Sequence, residues 1–212
     1  MNKKSKKKAF PELHKKYNTL DLDFVGVKSP QFSFSRLKGA DPILGVEMAS
    51  TGEVACFGET LEEAFLKSML SVGFRIPEKN ILLSTGPLES KVDFLESARE
   101  LSKMHYKFFA TGGTDDFLKK NKINCTHLAR PSEDFSPSIL DHLISRKIDL
   151  VINIPKNRTR VELTDGYQIR RTSVDMNVPL ITNVQVAKLF VSAIKKYPLE
   201  RLEIKSFCEY EK

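Results

Sequence analysis

Residues 107–120, KFFATGGTDDFLKK, change from a strand-like to a helix-like pattern within four residues. The apolar run Phe108–Ala110 predicts a strand, and the spacing over Thr114–Asn121 predicts a helix. Two hydroxyls flank two glycines in the turn between them, Thr111-Gly112-Gly113-Thr114. Free N–H groups and the positive dipole end of a helix attract anions, and glycines let a ligand approach the backbone. The turn therefore predicts a phosphate or carboxylate site at the carboxyl edge of a parallel sheet.

Strand and helix patterns alternate on both sides of this turn. Apolar runs predict further strands at Ile81–Ser84, Cys125–Leu128, Leu150–Ile154 and Pro179–Thr182. Helical spacing between the strands predicts a helix with the apolar stripe Leu88, Val92, Leu95 and Leu101, and helices at Ser138–Arg146, Tyr167–Met176 and Val184–Lys195. Each crossover must return the chain to the same edge, so the alternation predicts an α/β fold. We expect a doubly wound, five-stranded parallel sheet with Rossmann- or flavodoxin-like layering.

The residues before Ile81 have a different pattern. Phe24–Lys28 and Gln31–Phe34 alternate as short strands do, and Thr60 with Glu63 forms a capping box that opens a helix. A small α+β unit therefore precedes the sheet. The sequence predicts four regions: a lysine-rich tail over 1–20, the α+β unit over 21–76, the sheet domain over 77–200 and a C-terminal tail over 201–212.

The positive charge of the chain is concentrated at its start. The 212 residues carry a net charge of +7, but residues 1–16 hold seven lysines and one glutamate, a net of +6. This distribution is typical of a solvated tail rather than a nucleic-acid-binding face. The longest apolar runs are too short to cross a membrane. We therefore expect neither nucleic acid nor membrane as a partner.

Cysteine usage indicates a reducing compartment. Cys56, Cys125 and Cys208 are far apart and form no CxxC pair, which argues against a disulfide framework or a zinc site. The sequence predicts a chain without a metal or cofactor of its own. Its expected location is the cytoplasm by default, with the mitochondrion as the alternative if an upstream part carries a targeting segment.

The loops after the predicted strands place hydroxyls, amides and cations at one edge of the sheet. Besides Thr111, Gly112, Gly113 and Thr114, the candidate anion-binding residues are Ser84, Lys91, Arg130, Asn153, Lys156 and Thr182. Turn residues of these types also serve as caps, and a basic loop is also compatible with simple solvation. Arg170 and Arg171 lie in a predicted helix, where they either reach this edge or pair with Asp165 or Asp175.

Three blocks before the sheet region stand out: FSFSRL at 32–37, DP at 41–42 and GVEMASTGEVACFG at 45–58. They resemble the closing segment of the second ATP-grasp unit of carbamoyl-phosphate synthetase, and residues 22–205 as a whole resemble the C-terminal end of that family's large chain. The sheet region resembles the family's methylglyoxal-synthase-like regulatory domain in the motifs Phe109-Ala110-Thr111-x-x-Thr114, Val151-Ile152-Asn153 and Ile169-Arg170-Arg171. The resemblance implies an allosteric effector site in the predicted crevice, with Thr111, Thr114 and Asn153 at effector-binding positions.

The resemblance also bears on the kind of effector. Family members activated by N-acetylglutamate carry a tryptophan where this chain has Arg130, and asparagines where it has Lys156 and Gly166. Bacterial members that bind nucleotides carry a lysine at the Arg130 position. A cation there implies a nucleotide phosphate, so UMP, UTP or IMP is the expected effector. N-acetylglutamate stays open as the alternative, because the wording around Ala55–Gly58 also occurs in ammonia-type chains.

Most of the family's catalytic machinery is missing from this sequence. The resemblance therefore implies a regulatory part that works with a synthetase body and a glutaminase subunit, with ATP and magnesium bound only upstream. A methylglyoxal-synthase-type lyase acting on dihydroxyacetone phosphate is the enzymatic alternative. That chemistry needs an acidic base, and Asp134 is the candidate in the loop after the third strand of the sheet domain.

Overall fold

The computed structural model describes residues 22–43, 52–133, 135–155 and 165–210. Within these residues the strands are β1 (Val25–Gln31), β2 (Gly52–Gly58), β3 (Asn80–Thr85), β4 (Lys107–Ala110), β5 (Cys125–His127), β6 (Leu150–Ile154) and β7 (Leu180–Ile181). The last five form one parallel sheet in the order β5-β4-β3-β6-β7. The chain runs outward from β3 to one edge and then from β6 to the other, so the predicted doubly wound α/β fold is confirmed.

The helices lie on both faces of this sheet. They are α1 (Leu61–Ser71), α2 (Leu88–Lys103), α3 (Gly112–Lys120), α4 (Ile139–Ile144), α5 (Asp165–Asp175) and α6 (Val184–Lys196). Side chains alternate along each strand, so Ile81 and Leu83 join the core formed with α1, α2, α3 and α6. Leu82, between them, joins the second core, formed with α4 and α5.

The apolar stripe predicted for α2 is only partly correct. Phe94, Ala98 and Leu101 are buried, whereas Leu88 is 63% exposed and Val92 is 58% exposed. Positions 94, 98 and 101 follow the i, i+4, i+7 spacing of one helix face. Leu88 and Val92 fall well off that face, so the first turns of α2 leave them in solvent.

The hairpin unit before the sheet combines β1, β2 and α1. The two strands pair in antiparallel register, with Val25 opposite Gly58. α1 begins as predicted, because Thr60 Oγ1 accepts from the N–H of Glu63 at 3.3 Å. The return bond of the capping box goes one residue further back, from the N–H of Glu59 to Glu63 Oε2 at 2.8 Å.

The strand predicted over 31–34 is wrong beyond its first residue. β1 ends at Gln31, and Phe34–Arg36 forms a 3-10 turn instead. The carbonyls of this stretch are bound by a side chain rather than by a neighbouring strand: Arg171 Nη1 donates to the carbonyl oxygens of Phe34, Leu37 and Ala40 at 3.2, 3.0 and 3.2 Å.

The chain after α6 folds back onto the hairpin unit. The ring of Phe207 lies 5.4 Å from that of Phe57, and the ring of Tyr210 lies 5.7 Å from that of Phe24. The Tyr210 hydroxyl donates to the Phe57 carbonyl at 2.9 Å. The described part of the predicted C-terminal tail is therefore packed against β1 and β2.

Candidate functional site

A row of polar residues crosses the sheet where its strands end. Ser84 of β3 is paired with Asn153 of β6. The same register places Thr111 one residue beyond the last pair of β4, and Thr182 one residue beyond the last pair of β7. Thr111 and Asn153 are buried, at 5% and 2% exposure. The structure thus brings four of the predicted site residues together on four adjoining strands.

The row continues the sheet face that α4 and α5 cover. Two positions before each member lies an apolar residue that belongs to, or packs against, the second core: Phe109, Leu82, Val151 and Leu180. Alternate residues of a strand share a face, so hydroxyls and an amide replace the apolar side chains at the strand ends. The carboxyl edge of this sheet face is therefore lined by polar side chains.

The start of α3 leaves its backbone donors available. Thr111 is the N-cap residue, yet its hydroxyl makes no capping hydrogen bond. The first N–H groups of a helix have no partner within the helix, and here they belong to Gly112 and Gly113. A Cβ added at either glycine would come no closer than 3.4 Å to another atom, the nearest being Lys91 Nζ. Packing of the protein therefore does not require these glycines, whereas a ligand seated on the backbone would.

Thr114 and Lys91 have separate roles at this turn. Thr114 Oγ1 accepts from the N–H of Thr85 at 3.1 Å and donates to the carbonyl of Thr85 at 3.2 Å, which fastens α3 to the end of β3. Lys91 Nζ donates to the carbonyl of Gly113 at 2.8 Å. Thr114 thus fixes the geometry of the turn, and Lys91 adds positive charge beside it.

The loop that carries Arg130 is tied to the start of α5. The N–H and hydroxyl of Ser132 donate to the two carboxylate oxygens of Asp165 at 2.9 and 2.8 Å. At the next residue, Gly166, an added Cβ would lie 3.9 Å from Asn153 Oδ1. Arg130 therefore belongs to a loop beside the edge that holds Asn153.

A contact at this edge that the sequence left open involves Arg170. Its Nη1 donates to Asn153 Oδ1 at 2.8 Å, while its Nε and Nη2 donate to the two carboxylate oxygens of Asp41 at 2.7 and 2.6 Å. Arg170 thus reaches the edge, and Arg171 pairs with Asp175. The pairing with Asp41 joins residues 129 positions apart and has no periodic signal in the sequence.

One carboxylate lies close to the start of α3. Asp115 is 4% exposed; its Oδ2 lies 2.7 Å from Lys119 Nζ, and its Oδ1 has no hydrogen-bond partner within the described part of the chain. Burial, reinforced by the charge of Asp115, raises the pKa of the nearby Cys125 thiol to about 12. The Cys125 thiol therefore stays protonated at neutral pH and adds no second anion beside Asp115. Lys119 offsets the charge of the Asp115 carboxylate.

Two predicted residues lie outside the described ranges, namely Lys156 of the candidate site and Asp134 of the lyase alternative. Among residues 22–43, 52–133, 135–155 and 165–210, no group of three or more histidine, cysteine, aspartate or glutamate side chains is placed to hold a metal ion. None of the helices in these same ranges is long and apolar enough to cross a membrane.

Comparison with known sequences agrees with the fold. Residues 93–182 match the sequence profile described as the MGS-like domain. This part of the chain is an MGS-like domain. The match includes the turn Thr111–Thr114 at the start of α3, together with Arg130, Asn153 and Arg170.

Longer relatives extend the similarity to the hairpin unit. The chain is 51% identical over 178 residues to the multifunctional protein pyr1-3 of Dictyostelium discoideum and 50% identical over 183 residues to the multifunctional protein URA2 of Saccharomyces cerevisiae. It is 47% identical over 196 residues to the human mitochondrial carbamoyl-phosphate synthase [ammonia]. These matches cover 82%, 82% and 90% of this chain. The predicted resemblance to carbamoyl-phosphate synthetase is confirmed.

The similarity covers a small part of each relative. The chain spans 8% of the Dictyostelium and yeast proteins and 13% of the human enzyme. A solved methylglyoxal synthase from Elizabethkingia anophelis superimposes with a TM-score of 0.43 and 18% identity, over 64% of this chain and 91% of that one. The fold assignment rests on the observed sheet order.

Proposed function

We propose that this chain is a regulatory part of a carbamoyl-phosphate synthetase and that its crevice binds an anionic effector. The observation that carries the proposal is the start of α3, where Thr111 makes no cap and two glycines expose backbone N–H groups beside Lys91. Helix starts of this kind bind phosphate and carboxylate groups. The chain would act on a synthetase body and its glutaminase subunit, with ATP and magnesium bound there and not here.

The residue types at the edge favour a nucleotide. Arg130, in the loop tied to the start of α5, would supply a cation beside the row of Thr111, Ser84, Asn153 and Thr182. A guanidinium binds phosphate oxygens through several hydrogen bonds. The hydroxyls and the amide of the row suit the ribose and a base. We therefore propose UMP or UTP as the effector, with IMP and N-acetylglutamate as the other candidates. We propose the cytosol as the matching location of such a synthetase.

Titration calorimetry on the purified chain tests this function. The panel comprises UMP, UTP, IMP, N-acetylglutamate and dihydroxyacetone phosphate. We expect saturable binding of a uridine nucleotide that is lost in Thr111→Ala and weakened in Arg130→Ala. Removing one charge-assisted contact of this kind costs about 1.5–3 kcal/mol, or roughly a 10- to 150-fold weaker Kd.

A matched control is Arg146→Ala, since Arg146 follows α4 at the opposite edge of the sheet and is exposed. Its Kd for the effector should equal that of the unmodified chain. Binding of N-acetylglutamate alone would contradict the nucleotide assignment. Conversion of dihydroxyacetone phosphate to methylglyoxal would support the lyase, and absence of binding by all five compounds would overturn the proposed site.

A further inference from the structure

Residues 34–41 form an arch that lies on the outer side of α5. Arg171 Nη1 donates to three carbonyls of this arch, and the Tyr167 hydroxyl donates to a fourth, that of Gly39, at 2.9 Å. The carboxylate of Asp41 closes the arch on Arg170. Three side chains of one helix therefore hold a segment that belongs to the hairpin unit.

Arg170 also contacts the polar row at the carboxyl edge of the sheet, through Asn153. Arg170 is 4% exposed, and its guanidinium divides its donors between two partners, with Nε and Nη2 on Asp41 and Nη1 on Asn153. A guanidinium is planar and rigid, so a shift of one partner moves the donors that hold the other. The polar row and the arch are thus joined through a single buried group.

The bond to Arg170 also fixes which way the Asn153 amide faces. Its oxygen accepts from Arg170 at 2.8 Å, so the Nδ2 group is the part left for a ligand. An amide held in this way offers N–H donors, which suit a carbonyl, carboxylate or phosphate oxygen. Without Arg170 the amide is free to turn, and its preference for such acceptors is lost.

We propose that Arg170 is a positioning residue that sets the Asn153 amide for an acceptor group of the effector and couples the occupied crevice to the 34–41 arch. This inference rests on the proposed regulatory function. The Asn153 amide is then the group that senses the ligand, and the 34–41 arch is the segment of the hairpin unit that responds. Allosteric coupling requires a physical connection whose state both sites influence, and this three-residue chain provides one.

Gly166 keeps this connection in place. A Cβ added at Gly166 would lie 2.9 Å from Arg170 Nη1, the atom that donates to Asn153. Alanine is favoured over glycine within a helix, so Gly166→Ala leaves α5 intact while displacing that nitrogen. The substitution therefore pushes Nη1 away from Asn153, and because the guanidinium is rigid it also disturbs the bonds to Asp41.

Hydrogen exchange of the ligand-free chain tests the connection by itself. We expect Asn153→Ala and Gly166→Ala to speed amide exchange over residues 34–41 by about fivefold, the effect of losing one net hydrogen bond. Asn153→Asp keeps an oxygen for Arg170 and should retain the exchange rate of the unmodified chain. Asn80→Ala is the matched control, because Asn80 lies on β3 at the opposite edge and donates to the Lys147 carbonyl.

Calorimetry with UMP on the same variants separates this inference from the proposed function. Asn153→Asp should lose UMP binding while its arch stays protected, because a carboxylate has no N–H donors. If exchange over 34–41 is the same in Asn153→Ala, Gly166→Ala and the unmodified chain, the connection through Arg170 is overturned even where UMP binds. If the exchange pattern holds and the unmodified chain does not bind UMP, the connection stands and the nucleotide assignment fails.

Discussion

Single residues at the start of α3 divide into those that build the turn and those that face the ligand. Thr114 is 4% exposed, and its hydroxyl hydrogen-bonds both the N–H and the carbonyl of Thr85. Thr111 is equally buried, but its hydroxyl caps nothing. The two threonines look alike in sequence, and only their contacts distinguish a structural role from a binding role.

Substitution of Thr114 should therefore lower the stability of the fold, whereas substitution of Thr111 should abolish effector binding. Thr114→Val removes two hydrogen bonds at a buried site and should lower the free energy of unfolding by about 1–3 kcal/mol. Thr111→Ala should change it by less than about 1 kcal/mol, since no cap is lost, while effector binding disappears. Urea unfolding measures the first quantity and calorimetry the second. A large stability loss in Thr111→Ala would show that its hydroxyl has a structural role.

Gly112 provides a second test at this scale. An added Cβ would meet His127 Cε1 at an ordinary 3.6 Å, so Gly112→Ala fits the fold. Alanine raises helix stability relative to glycine, and we expect a gain of up to about 1 kcal/mol in the free energy of unfolding. The methyl group would lie at the exposed N–H groups and should weaken effector binding at least tenfold. A variant that is both more stable and binds equally well would contradict the site.

At the scale of elements, α2 and α6 are joined by a carboxylate between two lysines. Glu100 Oε1 accepts from Lys103 Nζ at 2.8 Å, and its Oε2 lies 2.5 Å from Lys195 Nζ of α6. Hydrogen bonds from these two lysines lower the pKa of Glu100 from 4.5 to about 2. The lysine on α6 thus links two helices that cover the same sheet face.

This carboxylate should contribute to the acid sensitivity of the fold. Its pKa is depressed in the folded state, so its stabilisation is present above pH 4.5 and is lost as the pH falls from 4.5 towards 2. Glu100→Gln should flatten the fall of the thermal midpoint across that window and leave higher pH little affected beyond a constant offset. An unchanged slope in Glu100→Gln would show that the pair does not couple α2 to α6. The pair is exposed, so salt should reduce the difference.

The packed C-terminal segment belongs to the same scale. Phe207 and Tyr210 cover the rings of Phe24 and Phe57, and Lys67 Nζ donates to the Tyr210 hydroxyl at 3.0 Å. Removal of residues 206–212 should expose these rings and speed hydrogen exchange in β1 and β2 while β3 and β6 stay protected. Equal exchange in the hairpin strands before and after truncation would contradict the packing role.

At the scale of the whole molecule, sequence pattern predicted the sheet and most of its edge. Short apolar runs and turn residues located all five parallel strands, because buried strands leave a strong local signal. The polar row was also predictable, since Ser84, Asn153 and Thr182 each follow the apolar part of a strand. Contacts between distant segments could not be predicted from the sequence. The bond from Arg170 to Asp41, for example, depends on how α5 meets the hairpin unit. The predicted buried face of α2 was wrong at Leu88 and Val92. These two apolar residues are exposed, and the buried face runs through Phe94, Ala98 and Leu101.

The most direct test of the central claim is an amide NMR titration of the ¹⁵N-labelled chain with UMP. The start of α3 and the carboxyl ends of β3 and β6 should show the largest shift changes, with Gly112, Gly113 and Asn153 among them. Residues at the opposite edge, such as Arg75 and Arg146, should stay unchanged. Changes centred on that opposite edge, or none at saturating UMP, would contradict a nucleotide site at the start of α3.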